Sequence, residues 1–126
     1  MAYLKISEGC NNHCGYCAIP GIRGKYTARS FDSLINEAKT LKALGVKELN
    51  ITAQDITVYK DGDKGLLELI KALDSLGFEW LRLLYAYPGR VSDELLEYMN
   101  NSESVCNYLD VPVQHVQDGL LRAMNR

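Results

Sequence analysis

The stretch "EGCNNHCGYCAIPGIRG", residues 8–24, is the most informative part of this sequence for both fold and function. It holds three of the chain's four cysteines, Cys10, Cys14 and Cys17. The apolar run Tyr3–Ile6 comes directly before it and predicts a β-strand. The three cysteines are therefore expected in a loop that follows a strand, which is where parallel α/β proteins bind their ligands.

Three cysteines close together in sequence could form a disulfide, a zinc site or an iron–sulfur cluster, and these sites differ in the number of cysteines they need. A disulfide would leave one thiol over and needs an oxidising compartment. A structural zinc ion needs four ligands, so His13 or Cys106 would have to complete the set. Iron–sulfur clusters are held by cysteine thiolates, and three ligands on a four-iron cluster leave one iron open for a substrate or cofactor. The residues favour the cluster, with a zinc site as the alternative.

Four strand-like runs, each followed by a helix-like segment, extend along the chain. The predicted strands are Tyr3–Ile6, Leu49–Ala53, Trp80–Tyr87 and Tyr108–Val113. Such alternation predicts parallel strands joined by right-handed crossovers. The fold class is therefore α/β, either an open doubly wound sheet or an arc of a βα barrel.

Local signals place the helix ends. Ser30 and Ser92 are predicted N-caps, Gly45 and Gly77 are predicted C-terminal stops, and the last helix is predicted to begin at Asp118. The first long helix is indicated by an apolar stripe at helical spacing, made of Leu34, Ile35, Ala38, Leu41 and Leu44.

In both architectures the loops that follow the strands meet at one mouth. The cysteine loop, Gln54 with Asp55, Tyr87–Arg90, and Gln114 with His115 are the four groups that should meet there. The strand aromatics Tyr85 and Tyr87 and the helix leucines are assigned to the core. Cys106 is interpreted as a small buried residue ahead of the fourth strand, at the opposite end from this mouth.

Composition excludes several classes of protein. The chain has 126 residues, which predicts one domain, and its net charge of −2 is not that of a dedicated nucleic-acid binder. No apolar run is long enough to span a membrane, and the first residues have no signal-peptide pattern. We therefore expect a cytoplasmic protein without a membrane partner, in which thiols stay reduced.

The cysteine spacing carries a family resemblance. Cys10-x3-Cys14-x2-Cys17, with Tyr16 before the last cysteine, resembles the signature of the radical S-adenosylmethionine (SAM) superfamily. The resemblance implies a βα barrel in which three cysteines hold a 4Fe–4S cluster, and the open iron chelates SAM. It further implies cleavage of SAM to a 5′-deoxyadenosyl radical. The chain accounts for about four βα units, so a partial, truncated radical SAM barrel is expected over residues 1–126.

Further segments resemble the methylthiotransferase branch of this superfamily: "YLKISEGCNNHCGYCAIPGIRG", "ITAQD", "LRLLYAYP" and "YLDVPVQH…MNR". They are most similar to the enzymes that methylthiolate an aspartate of a small-subunit ribosomal protein. The tRNA-modifying enzymes are the alternative; they typically carry Gly-Gln-Asn where this chain has Ala53-Gln54-Asp55, and Ser where it has His115. The family's N-terminal domain with a second cluster, and its C-terminal substrate-docking domain, are not in these 126 residues.

The resemblance also implies roles and partners. Cys10, Cys14 and Cys17 would be the metal ligands, and Tyr16, Gln54, Asp55, Gln114 and His115 would contact SAM. The implied partners are the ribosomal protein and an electron donor such as flavodoxin or ferredoxin. An unpaired fourth strand also predicts self-association of the chain. An alternative of another class is a non-catalytic module that binds zinc or an iron–sulfur cluster.

Overall fold

Strands and helices alternate along the chain in the computed structural model, which describes residues 1–126. The strands are β1 (Ala2–Lys5), β2 (Ser7–Glu8), β3 (Thr27–Ala28), β4 (Glu48–Thr52), β5 (Lys60–Asp61), β6 (Lys64–Gly65), β7 (Trp80–Leu83) and β8 (Val105–Leu109). The helices are α1 (Ile19–Arg23), α2 (Phe31–Ala43), α3 (Leu66–Asp74), α4 (Asp93–Asn101) and α5 (Asp118–Ala123), with 3-10 turns at Ile56–Val58 and Pro88–Arg90.

The central sheet is parallel, with the strand order β1-β4-β7-β8. Leu4 lies opposite Ile51, and Ile51 lies opposite Leu83, so these side chains share one face. That face is covered by α2, α3 and α4, which add Leu34, Leu69 and Leu95 among others to a single buried apolar cluster. The predicted α/β class with four βα units is confirmed.

The predicted helix ends are set by local hydrogen bonds. The Ser30 hydroxyl accepts the Ser33 N–H at 3.4 Å, and the Ser92 hydroxyl accepts the Leu95 N–H at 3.2 Å. Each bond satisfies an amide that the first turn of a helix leaves free. Gly45 follows α2 with φ 82°, a left-handed conformation that glycine adopts without steric cost. The sequence signals for these caps are confirmed.

The fourth strand lies earlier than predicted. It spans Val105–Leu109 rather than Tyr108–Val113, and residues 110–115 lie beyond the end of the strand. A bulge explains part of this shift, because Leu81 to Leu83 on β7 face the longer span from Val105 to Leu109 on β8. Cys106 therefore lies inside the strand and is half-buried, not a buried residue ahead of it.

Two other assignments to the core are wrong for a shared reason, which is that both residues lie past the end of an element. The third strand ends at Leu83 rather than Tyr87, and Tyr85 turns outward with φ 67° and 53% exposure. Its carbonyl accepts the Ile56 N–H at 3.1 Å instead of joining the sheet. Leu44 is the C-cap residue of α2 and is 76% exposed.

The second face of the sheet has no helix over it and is partly polar. Tyr3, Asn50 and Arg82 lie side by side across β1, β4 and β7. The Arg82 Nε donates to Glu48 Oε1 at 2.7 Å, and Tyr3 is 58% exposed. None of the five helices is both long and apolar enough to cross a bilayer.

Candidate functional site

The loops at the carboxyl ends of the four main strands enclose one cleft of about 150 Å³. Its wall is formed by Cys10, Asn12, Cys14, Tyr16, Cys17, Ile19, Gln54, Asp55, Tyr85, Ala86, Tyr87, Pro112, Gln114 and Arg126. The prediction that the four post-strand groups meet at one mouth is therefore confirmed. Seven of the eight predicted site residues line the cleft. The eighth, His115, does not, since its Nδ1 accepts the Gln117 N–H at 2.9 Å just before α5.

The cysteine loop begins at a position that requires glycine. Gly9 has φ +74°, and a Cβ there would lie 2.3 Å from the Lys25 carbonyl oxygen. One residue further on, the Cys10 N–H donates to the Gly24 carbonyl at 3.2 Å. The close approach of the two chain segments therefore fixes where the loop leaves β2.

All three loop cysteines are free thiols that lie on the cleft wall. Cys10 and Cys14 are half-buried and Cys17 is exposed, and the Cys17 N–H donates to the Cys14 carbonyl at 3.0 Å. No three His, Cys, Asp or Glu side chains are arranged to hold a single metal ion. A structural zinc ion needs four ligands around one centre. A multi-iron cluster differs, because its thiolates bind different irons.

An ion pair buried on the cleft wall joins three loops. Asp55 is 5% exposed, and its Oδ2 accepts from Arg90 Nη1 at 2.6 Å and from Asn12 Nδ2 at 3.4 Å. The second guanidinium nitrogen of Arg90 donates to Asn12 Oδ1 at 2.8 Å. The other Asp55 oxygen accepts the Thr57 N–H at 3.0 Å and so caps the 3-10 turn. Asp55 therefore holds the loops after β2, β4 and β7 together.

Gln54 presents a free acceptor at the same cleft. Its Oε1 is buried and has no hydrogen-bond partner within the chain. An unpaired buried carbonyl oxygen costs free energy unless a ligand or water supplies a donor. Gln54 thus fits a ligand that brings an N–H or O–H group to this wall.

The aromatic and cationic residues of the cleft are more open. Tyr16 is 51% exposed, and desolvation at the wall raises the pKa of its hydroxyl above the ordinary value. The Arg90 and Arg126 guanidinium groups lie 4.5 and 4.1 Å from the centre of the Tyr87 ring. These are cation–π distances, so Tyr87 ties both arginines to the loop after β7.

Sequence reasoning missed Asn12 and Arg126, two polar residues of this cleft that make hydrogen bonds at the mouth. Asn12 could have been found from its position between two cysteines of one loop. Arg126 could have been found from the "MNR" motif, which was used only for the resemblance. No residue type alone indicates either contact.

Comparison with protein families and curated relatives agrees with this geometry. A family model described as the radical SAM superfamily matches residues 4–126. "Ribosomal protein uS12 methylthiotransferase RimO" of Clostridium novyi (strain NT) is 49% identical over 130 residues, covering 100% of this chain and 29% of that protein. The protein of the same name from Geotalea uraniireducens (strain Rf4) is 54% identical, covering 99% of this chain and 29% of its own length. The resemblance to methylthiotransferases is confirmed, and the chain spans less than a third of these relatives.

A solved structure shows the same fold at low identity. The radical S-adenosylmethionine methyltransferase TsrM from Kitasatospora setae, solved with cobalamin and a [4Fe-4S] cluster bound, superposes with a TM-score of 0.67. The match is 18% identical and covers 96% of this chain and 24% of that one. It confirms the predicted fold class, a partial βα barrel of this type.

Proposed function

The chain belongs to the radical SAM superfamily, and from this membership we propose that its cysteine loop binds a 4Fe–4S cluster through Cys10, Cys14 and Cys17. The observation that carries the proposal is the position of three free thiols on one cleft wall at the carboxyl ends of a parallel sheet. Three ligands match a four-iron cluster with one open iron. They do not match a closed four-ligand site.

We propose that SAM occupies the same cleft beside the cluster. Gln54 Oε1 is the buried acceptor without a partner, and it fits the amino group of SAM. Tyr16 offers an aromatic face for the adenine. Asp55 lines the cleft, but its carboxylate already binds Arg90 and Thr57, so its part in holding SAM is to shape the wall. Gln114 lies on the cleft wall, whereas His115 does not, and its Nδ1 already accepts the Gln117 N–H.

When bound at Cys10, Cys14 and Cys17 and in the adjoining cleft, the cluster and SAM would supply radical chemistry, the removal of a hydrogen atom from a substrate. The chain's own residues bind, orient and partly enclose them, because the cleft wall combines thiols, one free acceptor and aromatic rings. The ion pair of Asp55 and Arg90 holds the cysteine loop against the strand ends. Such pre-organisation keeps the reacting groups in place at a low entropic cost.

We further propose that the whole protein methylthiolates an aspartate of a small-subunit ribosomal protein, with a flavodoxin- or ferredoxin-like electron donor in the cytoplasm. The names of the relatives support this substrate, as do Ala53-Gln54-Asp55 and His115 where tRNA-modifying enzymes differ. This chain covers 29% of those relatives. The proposed substrate is therefore that of a longer protein, and the first property to test on this chain is the cluster.

Iron counting after anaerobic reconstitution tests the cluster. Replacing Cys10, Cys14 or Cys17 with alanine should abolish assembly, because each removes one of three ligands. Cys106→Ala is the matched control, since Cys106 lies in β8 and outside the cleft. A brown protein with visible absorption supports iron–sulfur binding, whereas stoichiometric zinc in a colourless protein would contradict the proposal. Loss of iron from the Cys106 variant would refute the assignment of three ligands.

A further inference from the structure

The turn that ends α5 is seated directly on the cysteine loop. The Gly15 N–H donates to the Met124 carbonyl at 2.8 Å, and Asn125 Nδ2 donates to the His13 carbonyl at 2.8 Å. A methyl group at Gly15 would lie 3.6 Å from the Met124 carbonyl oxygen, so the two segments are in van der Waals contact. Residues on both sides of Cys14 are therefore held by one turn.

The conformation of this turn follows from its place at a helix end. The Asn125 N–H donates to the Arg122 carbonyl at 3.0 Å, and the Arg126 N–H donates to the Leu121 carbonyl at 2.9 Å. This pair of bonds is a Schellman motif, which needs a left-handed residue after the C-cap. Asn125 supplies it with φ 55°, a conformation that asparagine tolerates better than most residues. The cap directs the Asn125 amide to the loop.

Arg126 fastens the same turn to the rest of the mouth. Its Nη2 donates to the Pro112 carbonyl at 2.7 Å, and its guanidinium lies over the Tyr87 ring. Its Nη1 lies 4.0 Å from Cys14 Sγ. The turn is thus anchored to the segments that follow β7 and β8.

We propose that the turn Met124–Arg126 is a clamp that holds the cysteine loop in its ligand-binding conformation, with Asn125 as the positioning residue. The proposal rests on the proposed function of the loop. The segment from Asn11 to Ala18 has no helix or strand of its own, so its order depends on contacts from outside it. A loop ordered before the metal arrives loses less conformational entropy when the cluster binds.

The expected effect is that of one neutral hydrogen bond. Such a bond shifts a local opening equilibrium by roughly three- to tenfold. Replacing Asn125 with glycine removes the amide but keeps a residue that readily adopts positive φ. The clamp's side-chain contact is therefore lost while the helix cap stays.

Amide hydrogen exchange on the metal-free chain tests the clamp without any cofactor. In Asn125→Gly we expect the segment 10–17 to exchange roughly three- to tenfold faster while the central strands stay unchanged. Asn101→Ala is the control, because its Nδ2 also donates to a backbone carbonyl, that of Glu97, at 2.9 Å, but does so within α4 and not to the cysteine loop. This control should leave the exchange of segment 10–17 as in the parent chain.

Iron release from the reconstituted chain into a chelator is the second readout. Asn125→Gly should release iron several-fold faster, and Asn101→Ala should not. Unchanged exchange in segment 10–17 would overturn the proposal, and so would a uniform rise over the whole chain, which would mean global destabilisation. If no variant binds iron, the proposed function fails, and the exchange data still decide whether the clamp exists.

Discussion

Removing the Arg90 side chain should destabilise the fold through a residue on another loop. The Asp55 side chain is only 6% exposed, and its Oδ2 forms an ion pair with Arg90 Nη1 at 2.6 Å. Truncating one partner of a fully buried ion pair costs about 3–5 kcal/mol, because it leaves an uncompensated charge. Two features reduce this cost here. The Arg90 side chain is 40% exposed, and Thr57 still donates to the carboxylate.

We therefore expect Arg90→Ala to lower the free energy of unfolding by about 2 kcal/mol, the scale of a charged hydrogen bond with partial screening. Lys47→Ala is the matched control. The Lys47–Glu79 pair has a similar N···O distance of 3.0 Å, but its side chains are 71% and 47% exposed. An exposed pair contributes only about 0–1 kcal/mol. Both variants remove an ion pair, so the difference between their free energies of unfolding reports the effect of burial.

Urea unfolding of the metal-free chain, followed by circular dichroism, measures both variants. With a slope of about 1–3 kcal/mol per molar urea, the Arg90→Ala midpoint should fall by roughly 1 M. The urea midpoint of Arg90→Lys should fall less than that of Arg90→Ala, because a lysine keeps the charge but cannot bridge Asp55 and Asn12 together. If Arg90→Ala loses no more stability than Lys47→Ala, Asp55 does not depend on this pair, and the three loops are joined by something else.

Three further predictions concern the loop entrance, a polar cluster and the open face of the sheet. Gly9→Ala should cost about 1–3 kcal/mol more than Gly24→Ala in the same urea assay, the scale of steric overpacking, because both glycines have φ near +75° but only at Gly9 would a Cβ meet backbone atoms. Burial alone would raise the pKa of Asp74. Hydrogen bonds from Ser104, Tyr98 and Ser102 outweigh this effect, so the net pKa of Asp74 lies below its ordinary value. The stability that the ionised Asp74 contributes is fully present above about pH 3.9, the pKa of an unfolded aspartate, and is lost as the pH falls through the lower pKa of the folded state. Thermal melts should therefore show a steeper loss of melting temperature with falling pH in the parent chain than in Asp74→Asn. Sedimentation should show association that grows with concentration, since Tyr3 and Tyr108 are exposed on strands at the two edges of the sheet; a monomer at all concentrations would contradict it.

The fold was predictable from the sequence because its signals are local. Ser30 caps α2 through a bond to a residue three positions away, and Gly45 ends the same helix through its own φ angle. The mouth was predictable for a topological reason, since parallel strands bring their carboxyl ends to one edge. The errors came where a local apolar signal continued beyond the element. Tyr85 and Val113 look like strand residues, but both follow strands that have already ended.

The contacts that shape the cysteine loop were not predictable from local signals, because they join distant parts of the chain. Asn12 meets Asp55 across 43 residues and Arg90 across 78, and Asn125 meets the His13 carbonyl across 112. None of these pairs has a characteristic spacing or residue type. The segments that make these contacts are brought together by the sheet of β1, β4, β7 and β8, so the order of the loop depends on elements far from it in sequence. It follows that a change in α5, far in sequence from the cysteines, should weaken iron binding before it weakens the central sheet.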